Sequence, residues 1–204
     1  SDVYKRQRDA TTSKVYVSQL KVGSDIGRCM CGNFTNNYPG CIGFAYGNPV
    51  STVANKASSE LSAPGVASNF NIYWDGDLLS ETFNYVAGKN TEGGIYKYGQ
   101  SGPIYTCQGS LTNNDTKGTP CYQGDILGDW REEIIMRTAD NNIRIYSTPT
   151  PTEHRNYNLW FDHQYRNAMV WQMCGYNQPP HVSYFMGELE GITIAPPPLT
   201  TTGR

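Results

Sequence analysis

Charge is scarce in this chain. Lysine and arginine together number 16 and aspartate and glutamate 18 among 204 residues, for a net charge of −2. That balance, with basic residues scattered, leaves no electrostatic footprint for nucleic acid. Long apolar runs are missing as well. No stretch approaches the ~18 residues of a membrane-spanning helix, and no window sustains an apolar 3.6-residue period. Neither nucleic acid nor a bilayer is an expected partner. Cysteine is sparse: six residues, at 29, 31, 41, 107, 121 and 174, form no tetrahedral zinc pattern. Buried free thiols, behaving as small hydrophobes, are the simplest expectation for them.

What the chain does have is turn formers and aromatics: 21 Gly, 12 Pro and 15 Tyr. Tyrosine favours strands, and Gly and Pro punctuate them. Short β-rich runs recur at Lys14–Leu20, Ile42–Tyr46, Asn71–Trp74, Leu78–Tyr85, Gly94–Tyr98, Ile134–Arg137, Ile143–Ser147, Ala168–Trp171 and Val182–Met186. Clusters of Gly, Pro, Asn and Asp separate them, which predicts an all-β sandwich or propeller without long helices. Asp75-Gly76, between two runs, reads as a hairpin turn.

Two stretches echo each other. Gly124 to Ile134 (GDILGDWREEI) sets carboxylates around a glycine, and Gly32 to Ile42 (GNFTNNYPGCI) keeps the frame but replaces them with amides, a hydroxyl and a thiol. The offset is 92 residues, or two units of roughly 46, within the range of propeller blades. Trp74 to Glu81 (WDGDLLSE) lies near the midpoint. Oxygen-rich loops of this kind suit Ca²⁺, which takes six to eight oxygen ligands. The candidate ligands are Asp75, Asp77 and Glu81 in one loop and Asp125, Asp129, Glu132 and Glu133 in the other. The competing reading is surface ion pairing of the later carboxylates with Arg131 and Arg137, which is worth little. The neutral loop at Asn33, Thr35 and Cys41 should bind calcium poorly.

Residues 1–8 (SDVYKRQR) do not fit the repeat and read as foreign to it, residues 9–188 as blades, and the Pro/Thr-rich 189–204 as a linker or tail. Four units of ~45 residues are few for a closed propeller, so a fragment is expected.

The stretch from Gly124 to Gly187 is more specific. DWREE at 129–133 followed by YNQPPH at 176–181, with NFNIYWDGDLLSE at 69–81 and GSDIGRCMCGNFTNNYPG at 23–40, resembles the catalytic domain of family 11 rhamnogalacturonan lyases over nearly all of residues 12–188. The resemblance implies an eight-bladed β-propeller carrying calcium, of which about four blades are here. It also implies cleavage of the rhamnose–galacturonate backbone of pectin, rhamnogalacturonan I, by β-elimination. A secreted protein, monomeric in its full-length form, is the matching expectation.

Three positions match places that line the family's substrate cleft: Arg28 in DIGRCM, Lys117 in NNDTKG and Tyr176 in YNQPPH. These are the candidate catalytic residues, with Asn114 and Thr116 as substrate contacts and Asn177 as a further oxygen ligand. Elimination needs the C6 carboxylate neutralised, a base for the C5 proton and help for the leaving oxygen. A cation clamp or Ca²⁺ can supply the first, and Arg28 can grip a carboxylate bidentately. Which residue is the base stays open among the three. The bland alternatives are a solvated Arg28, an exposed Lys117 paired with Asp115, and a Tyr176 packed on Pro179 and Pro180.

The chain departs from the family in places. The family usually reads NGTK where this chain has Asn114-Asp115-Thr116-Lys117, and Phe161-Asp162-His163 stands where His-Asp-Pro is usual, so His163 is not inherited as functional. His154 and His181 read as polar surface groups. Asn33-Phe34-Thr35 and Asn114-Asp115-Thr116 match the glycosylation pattern, and a glycan at Asn114 would block the cleft. The rival from another class is a non-catalytic carbohydrate-binding propeller, with Tyr96, Tyr98, Tyr105, Trp160 and Trp171 stacking on sugars; a purely structural calcium-bearing repeat is third.

Overall fold

The structure, a computed structural model, describes residues 4–20, 29–37, 40–45, 50–51, 57–58, 70–175 and 177–187. Within them the chain forms four antiparallel sheets, none closed on itself. Strands β1 (Tyr4–Arg8) and β2 (Val15–Leu20) make a hairpin. The next sheet runs β3 (Cys29–Gly32), β4 (Ile42–Ala45), β5 (Val50–Ser51) and β6 (Ala57–Ser58) in chain order. A second four-stranded sheet follows: β7 (Phe70–Ile72), β8 (Glu81–Tyr85), β9 (Gly93–Tyr96) and β10 (Tyr105–Cys107). The last has three strands, β11 (Tyr122–Gly124), β12 (Glu133–Arg137) and β13 (Ile143–Tyr146). Each is a meander, as short loops between antiparallel neighbours require.

In the two later sheets the last strand is the least buried. β7 and β9 are buried throughout, whereas Ile143 and Ile145 on β13 are exposed. Phe70, Ile72, Trp74, Phe83, Ile95 and Cys107 from the β7–β10 sheet pack with Ile134 and Met136 of β12 into one apolar cluster. Adjacent sheets therefore share a core. Gly93 lies under the Phe83 ring, where a Cβ would come within 2.6 Å of it, so that strand has no room for a side chain.

Three readings from the sequence are corrected here. Ala168–Trp171 is not a strand but the end of helix α1 (His163–Trp171), capped by Asp162, whose side chain accepts from Gln164 N. Val182–Met186 forms no strand. Asp75-Gly76 is not a two-residue hairpin turn, since β7 ends at Ile72 and β8 begins at Glu81. Tyr4–Arg8, within the segment expected to be extraneous, pair with β2. The thiols also differ from expectation: Cys107 is buried, but Cys31 and Cys174 are exposed and Cys41 and Cys121 half-buried.

The loops after β3, β7 and β11 repeat one another in detail. Gly76 and Gly128 share left-handed backbones (φ 85° and 82°), and so do Leu78 and Trp130 (φ 68° and 70°). These pairs align the loops at an offset of 52 residues between the second and third. Asn33 and Tyr73 stand at matching places in the first two loops, 40 residues apart. Ser80 N donates to Asn33 O (2.6 Å), and at the next step Glu132 N donates to Tyr73 O (2.8 Å). The same bond thus joins successive sheets twice.

Candidate functional site

A pocket of about 480 Å³ lies between two chain segments. Asn113, Asn114, Thr119 and Pro120 line one side; Met173, Gly175 and Asn177 line the other. The first segment is a tight turn with a 3-10 turn at Asp115–Lys117 inside it. Asn114, Asp115 and Gly118 all have left-handed backbones (φ 59°, 47° and 57°). Asn113 is fixed from both ends: its Oδ1 accepts from Arg137 Nε (2.6 Å) and its Nδ2 donates to Cys121 Sγ (3.2 Å). Across the pocket, Asn177 is buried and its Nδ2 donates to Pro120 O at 2.7 Å. That bond ties the two walls together.

The structure thus brings the Asn114 turn and Asn177 to one place. Lys117 ends the turn, half-buried, with its N–H donating to Asn114 O (2.9 Å); it is not itself among the lining residues. Asp115 is exposed and pairs with Lys89 at 2.9 Å, not with Lys117. Arg28, Tyr176 and the side chain of Thr116 lie outside the described residues.

The two carboxylate loops diverge. Asp75, Asp77 and Glu81 each place an oxygen within 4.8 Å of the others, an arrangement compatible with a metal ion and the one such group among the described residues. The later loop does not gather its four carboxylates in this way. Asp125 accepts from Gly128 N and Leu159 N, both at 2.8 Å. Glu133 accepts from Ile126 N, Leu127 N and Ser147 Oγ, and Asp129 pairs with Arg131. Glu132 faces inward: Tyr165 Oη donates to it at 2.7 Å, Tyr73 N at 3.0 Å and Gln123 Nε2 at 3.2 Å. Burial pushes Glu132 up to about 7 and raises Asp125 and Glu133 too. Internal donors satisfy each of these groups.

Asn33 is buried rather than available for a glycan, and its Nδ2 donates to Leu78 O (3.3 Å) and Met186 O (3.4 Å). Cys41, at the position of Glu81 and Glu133, shares a hydrogen bond with Cys31 that lowers its thiol to about 7 against the opposing effect of burial.

The relation to known proteins follows these features. The model of rhamnogalacturonan lyase family 11, C-terminal domain, matches residues 2–198. The chain belongs to rhamnogalacturonan lyase family 11. It is 41% identical over 192 residues to a rhamnogalacturonan endolyase, YesW of Bacillus subtilis, covering 94% of this chain and 30% of that protein. It is 35% identical over 204 residues to the exolyase YesX of the same organism, covering 88% of this chain and 31% of the relative. Against crystal structures, the TM-score is 0.76 with YesW (93% of this chain, 31% of that one). It is 0.79 with YesX (94% and 33%). A rhamnogalacturonan lyase of Bacillus licheniformis, 38% identical, gives 0.75 over 91% of this chain and 30% of that one. The chain therefore spans about a third of the length of these relatives. The family match takes in residues 2–8, in keeping with the pairing of β1.

Within this family 11 chain, two residues that the sequence reading missed organise the acidic loops. Lys97 stands directly after β9 with its ammonium on Asp75, on Asp77 (2.6 Å) and on Glu81 (3.1 Å). Tyr165 links α1 to both Glu132 and Asp125 N. A lysine one residue beyond a strand was the available signal for the first; a long-range tyrosine contact leaves none.

Proposed function

We propose that the protein carrying this chain cleaves the rhamnose–galacturonate backbone of rhamnogalacturonan I by β-elimination, and that the sheets are successive blades of its catalytic propeller. The supporting observation is the pocket shared by the Asn113–Pro120 turn and the Met173–Asn177 segment in a family 11 chain. Two of the motifs that resemble the substrate cleft thereby face one space. The repeated bond between successive sheets supports the blade reading.

In this reading Asn114 orients the sugar, and Lys117 stabilises negative charge that grows as the C5 proton leaves. Arg28 grips the uronate carboxylate in the ground state as well. Calcium, when bound, would act as a Lewis acid on that carboxylate, with Asn177 an oxygen-bearing side chain at the pocket that could join its ligands. Cleavage of so large a polymer fits secretion of the protein.

The test follows formation of the unsaturated uronate by ultraviolet absorbance in the full-length protein. Lys117→Ala should lower kcat at least about a hundredfold with little change in KM, as expected for an interaction made chiefly in the transition state. Arg28→Ala should raise KM. Near-normal kcat in Lys117→Ala removes Lys117 from the chemistry. Tight polysaccharide binding with no absorbance from the intact protein would favour the binding-module alternative.

A further inference from the structure

The loop of Asp75, Asp77 and Glu81 has its own counterpart one sheet on. Glu81 Oε2 accepts from Trp74 N (2.9 Å) and Asp75 N (3.4 Å). Glu133 Oε2 accepts from the matching Ile126 N and Leu127 N, each at 2.9 Å. Asp77 Oδ1 accepts from Leu79 N (3.0 Å), and Asp129 Oδ1 from the matching Arg131 N (3.1 Å). The remaining glutamate oxygen faces the residue after the third strand. That residue is Lys97 for Glu81 (3.1 Å) and Ser147 for Glu133 (3.2 Å).

Of the positions that differ between the loops, two bear on the cation that faces the glutamate. The first loop has Asp75 where the second has Leu127, and Lys97 where the second has Ser147. At these two positions one added negative charge accompanies one added positive charge, while the second loop carries its own cation, Arg131, on Asp129. The Lys97 ammonium touches all three carboxylates at once, the place a divalent ion would take. Glu81 is fully buried and Lys97 mostly so, with side-chain exposures of 0% and 15%. An ammonium with three donors and three carboxylate partners is well matched in such a site.

We propose that Lys97 is the resident cation of the Asp75–Asp77–Glu81 loop, a tethered ammonium that takes the place of a divalent ion and makes this loop independent of calcium. The proposal stands apart from the lyase reading, because it concerns only what fills this loop. A carboxylate triad that would otherwise repel is closed by a side chain that cannot diffuse away. Removing Lys97 should convert the loop into a calcium site, since three oxygen donors then face one another without a counter-charge.

The experiment measures bound calcium per chain, by elemental analysis after equilibrium dialysis, in the full-length protein. Lys97→Ser, which copies the neighbouring loop, should bind one more calcium ion than the unsubstituted protein. Its thermal midpoint should fall further on chelation than that of the unsubstituted protein. Adding Asp75→Leu to Lys97→Ser should abolish the extra ion. Equal calcium content in Lys97→Ser and the unsubstituted protein overturns the proposal. A second variant keeps the question decidable if Lys97→Ser does not fold: Asp77→Asn alone should leave the calcium content unchanged, and loss of one ion would show that calcium, not Lys97, holds the loop.

Discussion

Asp115 explains a glycine. The family pattern NGTK places glycine where this chain has Asp115, and the backbone there is left-handed (φ 47°). An L-residue with a Cβ pays about 1–2 kcal/mol in that region, aspartate toward the low end, and glycine does not. The exposed Lys89–Asp115 pair returns little of that cost. Asp115→Gly should therefore raise the thermal midpoint by roughly 1–3 °C, given ~2–4 °C per kcal/mol for a domain of this size. A drop would mean that the ion pair outweighs the strain. Glu132 contributes to the pH dependence. Its folded-state value, about 7, lies above the ordinary 4.5 because burial disfavours the charged form. The stability tied to its proton is complete below pH 4.5 and is lost as pH rises through 7, by on the order of 3 kcal/mol. Glu132→Gln keeps the shape without the titration, so urea midpoints measured from pH 5 to 8 should fall less steeply in the variant, with Glu81, raised to about 8, supplying remaining slope. Parallel profiles for both proteins would rule Glu132 out. The replacement of glycine by Asp115 was legible in the sequence, and the burial of Glu132 was not. The string DWREE shows five polar or aromatic residues, and only the fold turns Glu132 inward while Asp129 faces solvent.

Elements were easier to read than their ends. β12, with adjacent Ile134 and Ile135, and β13, with Ile143 and Ile145 alternating, are β-branched runs that the pattern identifies directly, whereas α1 was misread because Ala168–Trp171 is a compact apolar stretch. Its helical signal lies earlier, in the capping Asp162 and the buried pair Tyr165 and Met169, four residues apart. Asp162 does more than cap: it accepts from Gln164 N (3.2 Å), from Ser183 N (2.5 Å) and from Ser183 Oγ (2.8 Å). One buried carboxylate thus starts the helix and clamps the segment that follows it. Asp162→Ala should cost about 2–3 kcal/mol in denaturant unfolding, a cap of ~1 plus the orphaned Ser183 donors. A cost below about 0.5 kcal/mol would reduce Asp162 to an ordinary surface cap. The acidic loops show the other limit of sequence reading. Carboxylate spacing pointed to both, but whether the oxygens converge depends on Lys97 and Ser147, some 16 and 14 residues beyond the glutamates they face.

At the scale of the molecule, one relation carries each sheet onto the next. The bond from Ser80 N to Asn33 O and that from Glu132 N to Tyr73 O occupy equivalent positions, and the left-handed pairs at Gly76/Gly128 and Leu78/Trp130 fix the equivalence. The spacing of 40 and then 52 residues sums to the 92-residue echo; the inequality comes from loop length, which sequence averaging conceals. Repetition of this kind stabilises through interfaces between neighbours rather than through independent units. Ile134 tests that directly, because it is fully buried on β12 yet belongs to the cluster built largely from the β7–β10 sheet. Ile134→Ala should cost about 2–5 kcal/mol, the range for truncating a buried isoleucine. The cavity opens between two sheets, so hydrogen exchange should quicken at the amides of β8 and β9 together with those of β12. Acceleration confined to β11–β13 would show that the sheets open separately, and the shared core would then be contact without cooperation.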